Sequence, residues 1–245
     1  MAHRLALTTQ HPTPDLLLRG VLTAGALLVV VAALQHLSPA DGRGMRITEA
    51  VAALLAILAM LGLTSWPRNL SAPAQALPRR STAAGLVLGL LWTVEIAMNN
   101  VTQPPLPLRD ILDNVFWALV GAGILVMAVR EGARRRSVRS GVTAGLWCGL
   151  ATGAVACLTG LIVVVAGMPL LLADPLNIAE WADQGGGTAQ EMATYFALET
   201  MAGAIGHLVV LGLAMGALLG VVGGVAGKVV TRRQVGVGEP ERTVR

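Results

Sequence analysis

The sequence is short of charged and aromatic side chains. Asp, Glu, Lys and Arg make up only 13% of the 245 residues, and Phe, Trp and Tyr only 3%. A soluble domain carries about 25% charged residues, so this chain cannot cover a globular surface with polar side chains. The formal net charge is +4, but nucleic-acid binding needs basic residues clustered with stacking aromatics on one face. We therefore expect no nucleic-acid partner.

Cysteine is also scarce, and the two cysteines are poorly placed for joint chemistry. Cys148 and Cys157 lie within one apolar run, and at about 100° per residue a helix would place them on opposite faces. They predict neither a disulfide nor a shared metal. A Ser or Cys nucleophile with a base and an orienting acid is not visible, and no His-Glu-x-x-His motif occurs. We expect no catalytic residues, no metal and no cofactor.

What the chain has instead is apolar sequence in long runs. Hydrophobic residues make up 54% of the chain, which also holds 29 glycines and has a mean hydropathy of +0.67. The runs are near the length that a membrane helix needs and lack the alternation of a membrane β-barrel strand. The predicted fold is an all-α, polytopic membrane helical bundle with six transmembrane helices. The six predicted spans are residues 16–37, 47–66, 82–101, 111–129, 142–172 and 200–230.

The six spans predict a single transmembrane domain over residues 1–233. Residues 173–199 are expected to form an extracytoplasmic loop with a short helix. Asp174 would cap this helix, and Pro175 would occupy its first position. Residues 234–245 are expected to form a flexible tail. A second interpretation of the first run is a signal peptide, because arginines precede it and the small-residue segment 38–40 follows it.

Basic residues fall mostly in alternate connections between the predicted spans. Fifteen of the 18 lie at the termini and in the second and fourth connections. Lys and Arg concentrate on the cytoplasmic side of membrane proteins, so both termini are predicted to be cytoplasmic. Nearly all the basic residues are arginines, and Lys228 is the only lysine. This preference for arginine fits the coding bias of high-G+C bacteria and therefore favours a bacterial inner (plasma) membrane.

Two rows of glycine follow the last two spans at intervals of four residues. This spacing keeps small residues on one helix face, where another backbone can approach closely. The rows predict helix packing, either within the bundle or against a second copy or a partner subunit. The residues are Gly141, Gly145, Gly149 and Gly153, and then Gly212, Gly216, Gly220 and Gly224.

Ionisable residues inside apolar spans are costly and are therefore candidates for function. Glu95 and Asn99 share a face of the third span, and Asp113 and Asn114 share a face at the start of the fourth. The short connection between these spans should bring the two pairs together. Glu199 and His207 form one stripe if the helix of the last span extends outward beyond the membrane.

These six polar residues have two competing interpretations. They can line an outward-side pocket that handles a small ion or solute, with close carboxyl groups holding a proton. Alternatively, the polar residues at the start of the fourth span only cap a helix at the interface, Glu95 extends to the membrane surface or pairs with Arg109, and His207 packs on a neighbouring helix. The chain would then be a non-catalytic membrane subunit or scaffold that binds a partner through its glycine rows.

Overall fold

The computed structural model describes residues 13–36, 47–66 and 71–236, and this part of the chain is helical with no β-strand. The possible cleavage segment 38–40 and most of the predicted tail lie outside the described residues. The helices are α1 (Pro14–His36), α2 (Ile47–Leu63), α3 (Ala72–Val101), α4 (Leu108–Arg135), α5 (Val138–Ala166), α6 (Met168–Ala173), α7 (Pro175–Asp183), α8 (Ala189–Val209) and α9 (Gly216–Gly236). A π-helical segment, Val210–Met215, joins α8 to α9.

Five helical segments in the described ranges are long and apolar enough to cross a membrane. They are α1, α3, α4, α5 and the continuous helix of α8 and α9. Helix α2 is apolar but has only 17 residues. Large apolar side chains are exposed along the outside of the bundle, among them Leu27, Leu34 and Val87. Such a surface is suited to lipid rather than to water, and the fold is a helical membrane bundle.

Helix α5 occupies the centre of the bundle. It contacts α1, α3, α4, α8 and α9, and its small residues leave room for neighbours on every side. The approach of α3 is especially close, because a Cβ at Gly85 would lie 2.8 Å from the Cβ of Ala151. The Thr152 hydroxyl also donates to the carbonyl of Gly85 at 3.1 Å.

The helices differ from the predicted apolar runs at several boundaries, and three of them have a clear cause. Helix α3 begins ten residues before its predicted run. The run was placed too late because Arg79 and Arg80 precede it, and a hydropathy scan excludes charged residues. Helix α5 ends at Ala166 rather than continuing to residue 172, since Gly167 follows it and a proline opens α6. Helix α8 begins at Ala189 instead of residue 200, after a capping box between Thr188 and Glu191.

One end of the bundle carries most of the described arginines, and we call it the arginine-rich end. Arg79 of α3 pairs with Asp15 of α1 at 3.1 Å, and Arg19 of α1 donates to Thr64, just after α2, at 3.0 Å. At the same end, α4 finishes at Arg135 and turns through Arg136 into α5. The loop from α3 to α4 and helices α6 and α7 lie at the opposite, arginine-poor end, where Gln103 donates to the carbonyl of Leu170 at 3.0 Å.

Candidate functional site

A buried carboxyl group lies where α3 faces α4 and α8. Glu95 of α3 is 5% exposed. The side-chain amide of Asn99, one turn further along α3, donates to Oε1 of Glu95. This hydrogen bond satisfies one carboxyl oxygen, and it turns the amide of Asn99 back along the helix. The sequence pair Glu95 and Asn99 is therefore one hydrogen-bonded unit in the structure.

A second carboxyl group faces Glu95 from the neighbouring helix. The Asp113 side chain of α4 lies near Glu95, with which it interacts electrostatically, and near Trp117, one turn along its own helix. Two carboxyl groups this close interact strongly when both are charged. A proton or a cation between them removes that repulsion. The structure thus places Glu95, Asn99 and Asp113 together, and we call these three residues the carboxyl cluster.

Three aromatic rings cover one side of the carboxyl cluster. The ring centroids of Trp92 and Trp117 lie 4.8 Å apart in an edge-to-face arrangement. His207 of α8 contacts both, with its centroid 4.8 Å from Trp92 and 5.7 Å from Trp117. The Nδ1 of His207 lies 2.8 Å from the carbonyl oxygen of Gly203, and a carbonyl can only accept, so Nδ1 carries the hydrogen.

Trp92 has an unusual polar environment. Its side chain is fully buried, yet its indole Nε1 has no hydrogen-bond partner among the described residues. Buried tryptophans usually have a partner for this group. Trp92 precedes Glu95 by three residues, so the two share a face of α3. The sequence analysis missed Trp92, although this spacing could have identified it.

Arg109 covers the arginine-poor end of the carboxyl cluster. Its Nη1 lies 2.8 Å from Oδ2 of Asp174, and its Nη2 donates to the backbone carbonyl of Asn99 at 3.2 Å. Asp174 also caps α7 by accepting from the backbone N–H of Leu176 at 3.0 Å. The alternative interpretation paired Arg109 with Glu95. Arg109 does interact electrostatically with Glu95, but its ion pair is with Asp174. Glu95 is covered rather than open to the outside.

Two of the predicted site residues lie elsewhere. The amide of Asn114 donates to the backbone carbonyl of Asp110 at 2.7 Å on an exposed part of α4. Glu199 is exposed on α8 and interacts electrostatically with Glu180 of α7. Glu180 also accepts a hydrogen bond from the hydroxyl of Tyr195 at 2.8 Å. Neither Asn114 nor Glu199 joins the carboxyl cluster.

The π-helical segment begins three residues after His207. Its residue Leu211 packs in the same core as Trp92, and its backbone carbonyl blocks the position of a Cβ at Gly149. A π-helical turn is rare and is often found at functional sites. No pattern in the sequence analysis indicated it.

The two glycine rows face each other inside the chain. A Cβ at Gly145 would lie 2.7 Å from the Cα of Gly220, and one at Gly216 would lie 2.9 Å from the carbonyl of Gly145. Gly141 meets Gly224 in the same way, and Gly153 meets the backbone at Leu208. Gly149 and Gly212 approach the backbone at the π-helical segment and at Leu150, respectively. The rows thus form the contact of α5 with α8 and α9.

Within the described ranges, no group of three or more His, Cys, Asp or Glu side chains is arranged to hold a metal ion. Cys148 and Cys157 are free and buried.

Comparison with protein-family models, with curated proteins and with solved structures finds no match for this chain.

Proposed function

We propose that this chain is a multi-pass membrane carrier that moves a small ion or solute and uses Glu95 and Asp113 to bind a proton. The observation that carries the proposal is the pair of facing carboxyl groups inside an apolar helix bundle. Ionisable groups at such depth are expensive and are kept mainly where they bind or relay charge. Two carboxyl groups so close hold one proton between them more readily than two negative charges.

The surroundings of the pair support a site that opens and closes. Glu95 is buried in this conformation, so a solute reaches it only after a neighbouring group moves. The ion pair between Arg109 and Asp174 lies over one end of the cluster, and His207 with the two tryptophans lies beside it. The π-helical segment next to His207 is a place where α8 can shift relative to α9.

The alternative role, a scaffold that binds a partner through its glycine rows, has less support. The rows on α5 and α9 are already in contact with each other, so their faces are covered within the chain. A partner or a second copy would have to bind at another surface.

The proposal includes six crossings, with both termini cytoplasmic in a bacterial plasma membrane. Its support is that α1, α3 and α5 begin at the arginine-rich end, while α2 and α4 finish there. The hydroxyl of Thr231, near the end of α9, donates to the carbonyl of Ala133 at 3.2 Å at the same end. Helix α1 packs in the main core through Leu18 and Leu22, which supports its retention as a membrane helix.

Site-directed labelling tests this orientation. The native cysteines are buried, so a cysteine introduced at an exposed position gives the main signal. We expect Arg136→Cys to react with a membrane-impermeant maleimide only from the cytoplasmic side, and Gln184→Cys only from the outside. Labelling of both positions from one side would contradict the six-span arrangement.

Flux measurements test the transport function. Purified protein is reconstituted into proteoliposomes that contain a pH dye, and pools of cations and small metabolites are added outside. We expect one pool to give a proton flux that Glu95→Gln abolishes and that Glu199→Gln leaves intact. Glu199→Gln is the matched control, because it removes the same charge from an exposed position outside the cluster. Equal fluxes in wild type and Glu95→Gln would refute the role of the carboxyl pair.

A further inference from the structure

A cavity of about 460 Å³ lies at the arginine-rich end between α3 and α4. Its wall is polar on one side and apolar on the other. The lining residues are Arg80, Ala84, Met127, Arg130, Glu131 and Arg134. It is separate from the carboxyl cluster, because Arg80 and Glu131 lie near the opposite ends of their helices from Glu95 and Asp113.

Glu131 is the unexpected residue in this cavity. Its side chain is 2% exposed, and its Oε2 has no hydrogen-bond partner among the described residues. The nearest cations are Arg134 Nη1, 3.8 Å from Oε1, and Arg135 Nε, 3.8 Å from Oε2. These distances fit ion pairs but are too long for hydrogen bonds. A buried carboxylate oxygen without a donor is costly, and the described residues leave Glu131 without one.

The arginines in the cavity need the opposite kind of partner. Arg80, Arg130 and Arg134 are exposed, and together they exceed the single negative charge of Glu131. Guanidinium groups bind phosphate through two parallel hydrogen bonds. Basic pockets between membrane helices at this depth commonly bind phosphate-bearing head groups. A ligand that carries an anionic oxygen and, a short distance away, a hydrogen-bond donor would pair with both the arginines and Glu131.

The apolar part of the wall continues toward the membrane. Ala84 and Met127 line the cavity, and the lipid-facing residues Val87 and Val126 follow on the same helices with more than half of their surface exposed. A ligand whose polar head lies among the arginines can therefore extend an apolar chain along α3 and α4.

We infer that this cavity binds a phosphate ester whose substituent carries an N–H or O–H donor, as ethanolamine and glycerol head groups do. The phosphate oxygens accept hydrogen bonds from Arg80, Arg130 and Arg134. The ammonium or hydroxyl group donates to the carboxylate of Glu131. The same chemistry occurs in a membrane lipid and in a water-soluble phosphate ester.

Native mass spectrometry of the purified full-length protein tests the inference with two lipids. Phosphatidylethanolamine and phosphatidylcholine of equal acyl chains share the phosphate and the net charge, but the trimethylammonium group of choline has no N–H. We expect the wild type to retain about tenfold more of the ethanolamine lipid, the ratio that one hydrogen bond to a charged group provides. Equal retention of the two lipids would overturn the inference.

Variants assign the effect to the cavity. Glu131→Gln should bring the ratio of the two lipids close to one, and the double variant Arg130→Gln/Arg134→Gln should reduce the binding of both. Arg136→Gln is the matched control, because Arg136 is exposed nearby but does not line the cavity. An unchanged ratio in Glu131→Gln, or unchanged binding in the double variant, would contradict the inference.

A competition experiment separates the two sources of ligand. Soluble glycerophosphoethanolamine is added to the protein without lipid and then to the lipid-bound protein. Binding of the soluble ester alone would indicate a water-soluble ligand, whereas retention of only the diacyl lipid would indicate a membrane lipid. Absence of binding by both forms would refute the inference, and this outcome does not depend on whether Glu131→Gln folds.

Discussion

Nη1 of Arg109 lies 2.8 Å from Oδ2 of Asp174, and this ion pair joins the start of α4 to the cap of α7 across 65 positions of the chain. The Asp174 side chain is only 3% exposed. The same guanidinium holds the backbone carbonyl at Asn99, next to the carboxyl cluster. Arg109 therefore connects the cap of α7 to the backbone of α3 beside the carboxyl cluster.

Breaking this ion pair should expose Glu95. In Asp174→Asn, Arg109 loses the charge that holds it across the end of the cluster, and we expect faster modification of Glu95 by a hydrophobic carbodiimide, mapped by peptide mass spectrometry. The free energy of unfolding should fall by about 2 to 3 kcal/mol, less than for a fully buried pair because the Arg109 side chain is partly exposed.

Asp183→Asn is a suitable control for this measurement, because Asp183 is an exposed acid at the end of α7. It should leave both the modification rate and the stability unchanged. If Glu95 reacts equally fast in the wild type and in Asp174→Asn, the ion pair does not control access.

The unpartnered indole of Trp92 gives a second prediction. Trp92→Phe keeps a ring in the core but removes the buried N–H, which has no partner in the part of the chain that the structure describes. We expect its melting temperature in detergent to equal or exceed that of the wild type, because an unsatisfied buried donor costs about 1 to 3 kcal/mol. Trp92→Ala should instead lose about 3 to 5 kcal/mol of stability through the cavity it leaves. A Trp92→Phe protein as unstable as Trp92→Ala would show that the N–H has a partner.

The packing of α5 against α9 depends on backbone contact at Gly145. A side chain there would collide with the carbonyl of Gly216 and would lie 2.7 Å from the Cα of Gly220. Gly145→Val should therefore destabilise the protein by about 2 kcal/mol or more. Gly203→Ala, at a helical glycine with open space around it, should keep or slightly raise the melting temperature. Equal melting temperatures for the two variants would mean that α5 and α9 are not in close contact.

The sequence predicts the helices well because a membrane span needs a long apolar run, and that property is local. That Glu95 and Asp113 face each other can also be predicted from the sequence, since both lie near a short connection between neighbouring helices. Other features depend on residues distant in sequence. Asp174 is the partner of Arg109 only because the turn between α6 and α7 meets the start of α4.

Burial of charge is harder to predict than the presence of a helix. Glu131 stands among arginines at the end of α4, where a sequence pattern indicates an exposed, solvated turn. Its burial depends on packing between helices, which a local pattern does not show; the adjacent Gly132 lies so close to α9 that a Cβ there would be 2.9 Å from the Cα of Gly224. The π-helical segment likewise was not indicated by its composition; its residue Leu211 packs in the core with Trp92.

The most direct test of the central claim is whether Glu95 and Asp113 hold a proton. Infrared difference spectroscopy of purified protein at neutral pH detects the C=O stretch of a protonated carboxyl group. We predict such a band in the wild type and in Glu199→Gln, and its loss in the double variant Glu95→Gln/Asp113→Asn. Identical spectra for the wild type and the double variant would show that the pair carries no proton and would contradict the proposed carrier mechanism.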